Sequence, residues 1–291
     1  MDILTNYTFQ IVALGSVLLA VVAAPVGAFS VYKGQSLIGD AIGHSTFPGI
    51  ILAYMAFATR SPVILLAGAI LAGAASYALI QLAHRDKRLG LDANLAIFLS
   101  GFFGLGMALK SFIQGNPDYA GASQAGLGTY IFGQAAYMLE ADVLLIAAIS
   151  ALVLTLLLLF YKELKLFVFD AEYAEVVGLP CRLLNLLLLV MTIAVIGIGI
   201  KAVGAILISS FLIIPCVAAN QWSNNFARVL LLSSLIGAVS ALVGTYISTL
   251  EQGMSTGPSI ILVASLIAFF SIVFGTKGIL GSVLKRRRTH G

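Results

Sequence analysis

Charged side chains are scarce in this chain of 291 residues. Asp, Glu, Lys and Arg together make up 10% of the sequence, against roughly 25% in an ordinary soluble domain. Hydrophobic residues make up 60%, and the mean hydropathy is +1.06. Since so few polar side chains cannot cover a globule of this size, the composition excludes a soluble globular protein and predicts one that lies in a lipid bilayer.

Cysteine is also nearly absent. Cys181 and Cys216 are far apart, have apolar neighbours and lack CxxC spacing. The sequence therefore indicates neither a disulfide framework nor a thiolate metal site, and we expect two small buried residues. The net charge of +4 comes from 16 basic and 12 acidic residues. It gives no support for a nucleic-acid partner.

The motifs of several enzyme classes are missing. No G-x-x-x-x-G-K-[ST] motif occurs, so we expect no P-loop and no ATP hydrolysis by this chain. The nearest match to a G-x-S-G nucleophile turn, residues 98–101, lacks the first glycine. Asp40 is the one acid that we place well inside an apolar segment, which argues against a paired-aspartate membrane protease. No catalytic residue is therefore predicted, and an integral membrane enzyme has no support.

Long apolar segments are what the chain has instead. A helix that spans a bilayer needs about 20 predominantly apolar residues. Asp40, His44 and Pro48 interrupt the second such segment, and the pair near residue 200 is separated only by Lys201 and its neighbours. We therefore predict an all-α bundle of eight or nine transmembrane helices in a single domain over residues 1–291. The segments are 8–31, 36–58, 62–83, 91–113, 141–161, 183–200, 203–221, 228–250 and 256–275.

Basic residues cluster in three places, and loops rich in Lys and Arg stay on the cytoplasmic side of a membrane. The clusters lie at residues 85–88, around residues 162–182 and at residues 285–288. All three fall on one side if nine helices alternate. The pattern predicts a multi-pass protein of the cell membrane, with an external N-terminus and a basic cytoplasmic tail over residues 276–291.

Two stretches are neither a span nor a simple loop. Residues 115–139 are rich in Gly and Ala with a short apolar end, which predicts a short helix or a re-entrant piece covered by protein. Residues 162–182 form the longest polar island. Within it, Asp170 can cap a helix, and Gly178 with Pro180 gives a stop signal. We expect a short cytoplasmic helix there, between two spans.

Asp40 and His44 are the candidate functional residues. An ionisable side chain at membrane depth costs on the order of 3 kcal/mol and usually faces a bundle interior or a water path. A spacing of four puts both side chains on one helix face, close enough to share one divalent cation such as Mn, Fe or Zn. The alternatives are a plain Asp–His hydrogen bond or a capping Asp. Two ligands cannot complete a coordination shell, so a second subunit or water is implied.

Five motifs in order carry a family resemblance. They are QSLIGDAIGHSTFPG at 35–49, TYIFGQAA at 129–136, FDAEYAEVVGLP at 169–180, VGAILISSFLIIPCVAA at 203–219 and EQGMSTGPSIILV at 251–263. The sequence resembles the membrane permeases of manganese, zinc and iron ABC importers, the ABC-3 type. The resemblance implies a fold like that of a type II importer permease. It also implies that Asp40 and His44 contact the metal, and that an ATPase docks on a coupling segment that includes Phe169, Asp170, Tyr173, Val176, Val177, Gly178 and Pro180.

The resemblance further implies alternating access in a pair of permease subunits. Two cytoplasmic ATPases would drive the pair and an external metal-binding lipoprotein would deliver the cargo, with no permanently bound cofactor. FGQAA together with EQGMSTGP is more similar to the manganese-type branch, with zinc or iron as alternatives. Cys216 follows Pro215 directly, and it either packs or lines the path. A stand-alone secondary transporter or channel with an Asp40–His44 proton relay, and a purely structural subunit, are the rival hypotheses.

Overall fold

The computed structural model describes residues 6–59, 61–84, 90–116, 119, 138–250 and 254–280, and the regular structure in these ranges is helical. They contain eleven α-helices. The helices are α1 (Tyr7–Tyr32), α2 (Ile38–Phe57), α3 (Pro62–His84), α4 (Leu91–Gly115), α5 (Glu140–Leu159), α6 (Tyr161–Phe169), α7 (Ala171–Val176), α8 (Cys181–Val203), α9 (Ala205–Asn220), α10 (Phe226–Leu250) and α11 (Thr256–Phe274).

Each of the nine predicted segments corresponds to one helix, with ends that agree within three residues. Among the described residues, seven helices are long and apolar enough to cross a membrane, namely α1, α3, α4, α5, α8, α10 and α11. Helix α9 is a shorter apolar helix, and α2 is the one that carries the predicted ionisable pair. The predicted all-α membrane bundle is therefore confirmed.

Helix α1 forms the centre of the bundle. Its side chains are buried without interruption from Val22 to Ser30, and it packs against α5, α8, α9 and α10. Phe29 on this helix is among the largest fully buried side chains. Helix α2 packs mainly on α3 and α4 and also contacts α8 and α9. The candidate site on α2 therefore lies between two pairs of helices. One pair is α8 and α9, which also pack on α1, and the other is α3 and α4.

Helices α2 and α3 touch through their backbones. A Cβ placed on Gly49 would lie 2.1 Å from the carbonyl oxygen of Gly68, and one placed on Gly68 would lie 2.4 Å from the carbonyl oxygen of Gly49. These distances leave no room for a side chain at either position. Close approach through small residues is the usual way in which helices pack inside a membrane, where burial of apolar surface gives little driving force.

A single glycine separates α8 from α9. Gly204 has φ +88° and ψ 162°, and its N–H bonds to the carbonyl oxygens of Gly199 and Ile200. This backbone conformation is accessible to glycine and strained for other residues. The predicted break near residue 200 therefore falls at Gly204, where one helix ends and the next begins at once.

The polar island at 162–182 contains two helices where the sequence predicted one. Asp170 caps α7 as expected, since its carboxylate accepts a hydrogen bond of 2.9 Å from the backbone N–H of Tyr173. Gly178, with φ +87°, forms the predicted stop. The additional helix, α6, begins directly after α5 and buries Leu164 and Phe167. Helix α5, which corresponds to the predicted span at 141–161, therefore ends at Leu159, two residues before the predicted end.

Several predictions fall wholly or largely on residues outside the described ranges. They concern the basic residues at 85–88 and 285–288, the TYIFGQAA motif and most of the stretch at 115–139. Both cysteines lie within the described part, and both are free and buried, as expected. Cys216 on α9 is fully enclosed. In this structure it packs in the core and presents no surface to a path.

Candidate metal site and coupling surface

Helix α2 brings Asp40 and His44 together on one face. The imidazole Nε2 of His44 lies 3.4 Å from a carboxylate oxygen of Asp40, and the two side chains are 17% and 31% exposed, respectively. The contact follows directly from the four-residue spacing on a helix. Both groups keep part of their surface open, so their remaining lone pairs can reach a cation outside the helix.

Aromatic side chains from α4 and α2 flank the histidine. The ring of Phe103 meets the His44 ring edge to face, with centroids 5.0 Å apart. Phe47 lies at 6.4 Å from the same phenylalanine. These rings restrict the orientation of the imidazole and form an apolar wall on one side of the pair.

Helix α9 supplies a neighbour on the other side of the pair. The Ser209 hydroxyl faces the turn of α2 that runs from Asp40 to His44. A Cβ placed on Gly43 would lie 3.3 Å from the Ser209 Oγ atom, so the absence of a side chain at residue 43 allows this approach. The sequence motifs do not single out Ser209, although it lies within the motif at 203–219. Its signal in the sequence is a pair of serines inside the otherwise apolar run of α9.

Hydroxyl groups and a proline shape the rest of α2. Ser45 donates to the carbonyl oxygen of Ala41 at 2.6 Å and lies 2.7 Å from the Ser76 hydroxyl on α3. Pro48 lacks the N–H that would normally bond to the carbonyl of His44, four residues earlier. The α2 backbone beside the pair is therefore less regular than an ideal helix, and α3 holds it in place.

The pair supplies only two metal donors of the usual kind. Within the part of the chain that the structure describes, no group of three or more His, Cys, Asp or Glu side chains could hold a metal ion. One carboxylate and one imidazole form a mixed oxygen and nitrogen set that suits first-row divalent metals. A cation bound here therefore needs further donors from water, from other residue types or from a second subunit.

The predicted coupling residues form an exposed apolar surface. Phe169, Tyr173, Val176 and Val177 are each more than half exposed. Asp170 and Gly178 define the two ends of α7, and Pro180 forms the N-cap of α8. We call the four exposed side chains the coupling surface. Clustered apolar side chains of this kind usually mark a contact with another protein or with a membrane.

Aromatic contacts connect the coupling surface to the bundle. Phe169 lies 5.3 Å from the ring of Tyr32 at the end of α1 and 5.2 Å from Phe226 at the start of α10. Phe226 in turn meets Phe29 at 4.9 Å. The Tyr32 hydroxyl donates to the side chain of Asn220 at the end of α9, at 2.9 Å. Phe169, the last residue of α6, therefore links the coupling surface to the ends of α1, α9 and α10.

A partly buried lysine lies close to this region. Lys33 follows α1, its ammonium group bonds to the side chain of Asn185, and it lies 4.9 Å from the centroid of the Phe167 ring. Asn185 also donates to the Tyr77 hydroxyl at 3.0 Å. Burial lowers the pKa of Lys33 to about 8, because a low-dielectric environment disfavours the ammonium form. Lys33 thus joins α1, α6, α8 and α3.

Comparisons with known proteins agree with this architecture. The model of the ABC 3 transport family matches residues 5–275. The zinc transport system membrane protein TroC of Treponema pallidum is 39% identical over 289 residues, which cover 99% of this chain and 96% of that protein. The manganese transport system membrane protein MntC of Bacillus subtilis is 38% identical over 285 residues, or 96% of this chain and 65% of that relative.

A solved structure has a similar fold. The structure described as PsaBC from Streptococcus pneumoniae in complex with Fab aligns with a TM-score of 0.81 and 27% identity, and the alignment covers 94% of each chain. The family match spans the described bundle, including the Asp40–His44 pair and the coupling surface. The chain belongs to the ABC 3 transport family.

Proposed function

We propose that this chain is the membrane permease of an ABC importer and that it carries a divalent transition metal, most favourably manganese, into the cytoplasm. The observation that carries the proposal is the Asp40–His44 pair, a carboxylate and an imidazole 3.4 Å apart on α2, inside the helical bundle. An ionisable pair at this depth is costly, and such residues usually mark the route of an ion or a proton. The relatives named above are zinc and manganese transport proteins.

Manganese is favoured by the chemistry of the donors. An Asp oxygen and a His nitrogen from each of two subunits give a hard, mixed set, which water can extend toward six-coordination. Zn²⁺ is usually content with four ligands and binds such sites more tightly. Because a transporter must release its cargo, tight zinc binding would block the path. Zinc and iron remain the alternatives, since the relative of highest identity given above is named for zinc.

The partners follow from what the chain holds and what it lacks. The coupling surface is exposed, so an ATPase subunit can dock there, and a chain without a P-loop motif needs that subunit for ATP hydrolysis. The two-donor site is half of a coordination shell, so a second permease copy or a homologue completes it. A metal-binding lipoprotein delivers the ion on the outer side. In this arrangement the segment 162–182 and the tail 276–291 are cytoplasmic.

The proposed transport step uses the aromatic contacts described above. Closure of the ATPases displaces α7, and Phe169 passes the displacement to Tyr32 and Phe226. The ends of α1, α9 and α10 then shift relative to α2. The Asp40–His44 pair opens to one side of the membrane and then to the other, which is the alternating access that a pump requires.

The test is metal uptake by variants of the pair. Asp40→Asn and His44→Ala should each abolish uptake of radiolabelled manganese in cells that lack other importers, while the protein still inserts. Asp92→Asn and His84→Ala are matched controls, because both side chains are exposed. They should leave uptake unchanged. Normal uptake by both variants of the pair would refute the assignment.

The identity of the metal and the energy source are tested in the same cells. Manganese should accumulate, and zinc should compete with slow or no release. Zinc accumulation as fast as that of manganese, at equal free concentration, would reverse the choice of metal. Uptake that continues after deletion of the partner ATPase would instead indicate a secondary transporter or a channel.

A further inference from the structure

Ser209 is a buried hydroxyl that the motif reasoning did not assign. Its side chain is 6% exposed and lies in the first half of α9, among apolar residues. Its Oγ atom lies 3.0 Å from the carbonyl oxygen of Ala205, and it faces α2 at Gly43, where an added Cβ would lie 3.3 Å from it. The same hydroxyl therefore lies between a carbonyl of its own helix and the turn of α2 that carries Asp40 and His44.

A serine hydroxyl has one proton to donate and two lone pairs to offer. When the proton points to Asp40, the hydroxyl satisfies and orients the carboxylate. When the proton points to Ala205, a lone pair of Ser209 faces the Asp40 side instead. Two oxygens that face each other through lone pairs repel unless a positive group lies between them. The second orientation therefore matches a site that holds a cation, and the first matches an empty one.

We infer that Ser209 is a third protein donor at the cation site, which it serves by rotating its hydroxyl between Asp40 and Ala205. The inference rests on the proposed metal site of Asp40 and His44 and adds to it a residue from a different helix. Without cargo, the hydroxyl holds the carboxylate. With cargo, it turns to the Ala205 carbonyl and presents a neutral oxygen to the ion.

The surroundings of Ser209 fix its position. Gly204, with φ +88°, sets the start of α9, and a Cβ on Gly43 would come within 3.3 Å of the hydroxyl. Farther along α9, Leu212 fills the space beside Gly27 and Gly39. The hydroxyl is therefore held against the first turns of α2 by packing on both sides. A donor held in this way loses little conformational freedom when a cation arrives.

The neighbouring serine provides a matched control. Ser210 bonds back to the carbonyl of Ile206 at 2.8 Å, which is the same backbone contact that Ser209 makes with Ala205. It is less buried than Ser209, and its helix position turns it about 100° away from the Asp40 side. Removing either hydroxyl removes the same kind of backbone contact from α9, but only the Ser209 hydroxyl faces the turn of α2 at Gly43.

A neutral oxygen at this position also affects which metal is preferred. Hydroxyl, carboxylate and water oxygens suit Mn²⁺, whereas a thiol attracts softer ions such as Cd²⁺ and Zn²⁺. Ser209→Cys is nearly isosteric and converts a hard donor into a soft one. A residue with a purely structural role would not change the order of metal preference after this substitution.

The experiment measures manganese uptake in cells that express the complete transporter, with permease levels normalised by immunoblot. Ser209→Ala should raise the KM for Mn²⁺ about tenfold, because a bond to a charged group is lost. The maximal rate should fall much less. Ser209→Thr, which retains the hydroxyl, should restore most of the affinity, and Ser210→Ala should behave like the wild type. Ser209→Cys should make Cd²⁺ inhibit at about tenfold lower concentration relative to Mn²⁺.

The outcomes separate this inference from the proposed function. If Asp40→Asn abolishes uptake but Ser209→Ala and Ser210→Ala give the same KM, the role of Ser209 is refuted and the metal site stands. If Asp40→Asn transports normally, the metal site itself fails, and the role of Ser209 fails with it. If Ser209→Ala does not accumulate in the membrane, the Cd²⁺ inhibition of Ser209→Cys decides. Unchanged metal preference in that variant would overturn the inference.

Discussion

Replacement of Gly68 by alanine tests the packing that holds the candidate site. The new Cβ would lie 2.4 Å from the carbonyl oxygen of Gly49, which is 1.0 Å short of the 3.4 Å at which ordinary contact begins. It would also lie 2.6 Å from the Cβ of Ala53. Since a carbonyl oxygen in a helix cannot swing aside like a side chain, α2 and α3 must move apart by about 1 Å.

This separation lowers the free energy of unfolding in two ways. Overpacking of a well-packed interior typically costs about 1–3 kcal/mol. A gap of about 1 Å also weakens dispersion contacts along the interface by roughly a quarter to a half. We therefore expect Gly68→Ala to unfold several degrees below the wild type. Because α2 carries Asp40 and His44, the KM for metal should rise as well.

The assay is thermal unfolding of the detergent-purified permease, with Gly104→Ala as the control. A Cβ on Gly104 meets nothing within 4 Å, and alanine is a better helix former than glycine by about 1 kcal/mol. That variant should be as stable as the wild type or slightly more stable. Equal melting temperatures for Gly68→Ala and Gly104→Ala would refute the argument.

Three other substitutions test separate features. Val177→Glu places a charge on the exposed coupling surface, so it should weaken co-purification with the ATPase while the permease itself remains stable; unchanged association would place the contact elsewhere. Lys33→Met should be more stable than the wild type near pH 7. The difference should shrink between pH 8 and 10.5, because the folded pKa of about 8 lies below the ordinary 10.5 and the unfolded chain binds more protons in that range; a pH-independent difference in melting temperature would contradict this. Gly204→Ala should lose about 1–3 kcal/mol because of its positive φ, whereas Gly101→Ala, inside α4 with nothing within 4 Å of the added Cβ, should not; equal melting curves would contradict that expectation.

The sequence alone was sufficient for features that depend on local order. Hydropathy located nine of the described helices, seven of them long and apolar enough to span a membrane, because a bilayer imposes both length and composition on a span. The Asp40–His44 contact was predictable because both residues lie on one helix four positions apart. The cap at Asp170 and the stop at Gly178 were also local. Such signals need no knowledge of what lies beside them.

Features that depend on neighbouring helices could not be predicted in this way. Ser209 is 169 positions from Asp40, and nothing in the pattern of α9 indicates that its first turns face the start of α2. The separate helix α6 was missed because the apolar run of α5 continues into it, and the break at Phe160 is a backbone change of a single residue. The bonding of Lys33 to Asn185 depends on the same kind of tertiary proximity.

The central position of α1 has a consequence for how the chain assembles in the membrane. This helix is made before the other described helices, yet it packs extensively against α9 and α10, which begin only at Ala205 and Phe226. Until then, its buried hydroxyls at Ser16 and Ser30 face lipid or transient neighbours. Chains interrupted before residue 204 therefore lack the surfaces that enclose α1. The packing that encloses α1 therefore forms only after α9 and α10 have been inserted, and shorter chains leave a long small-residue helix available for wrong pairing and proteolysis.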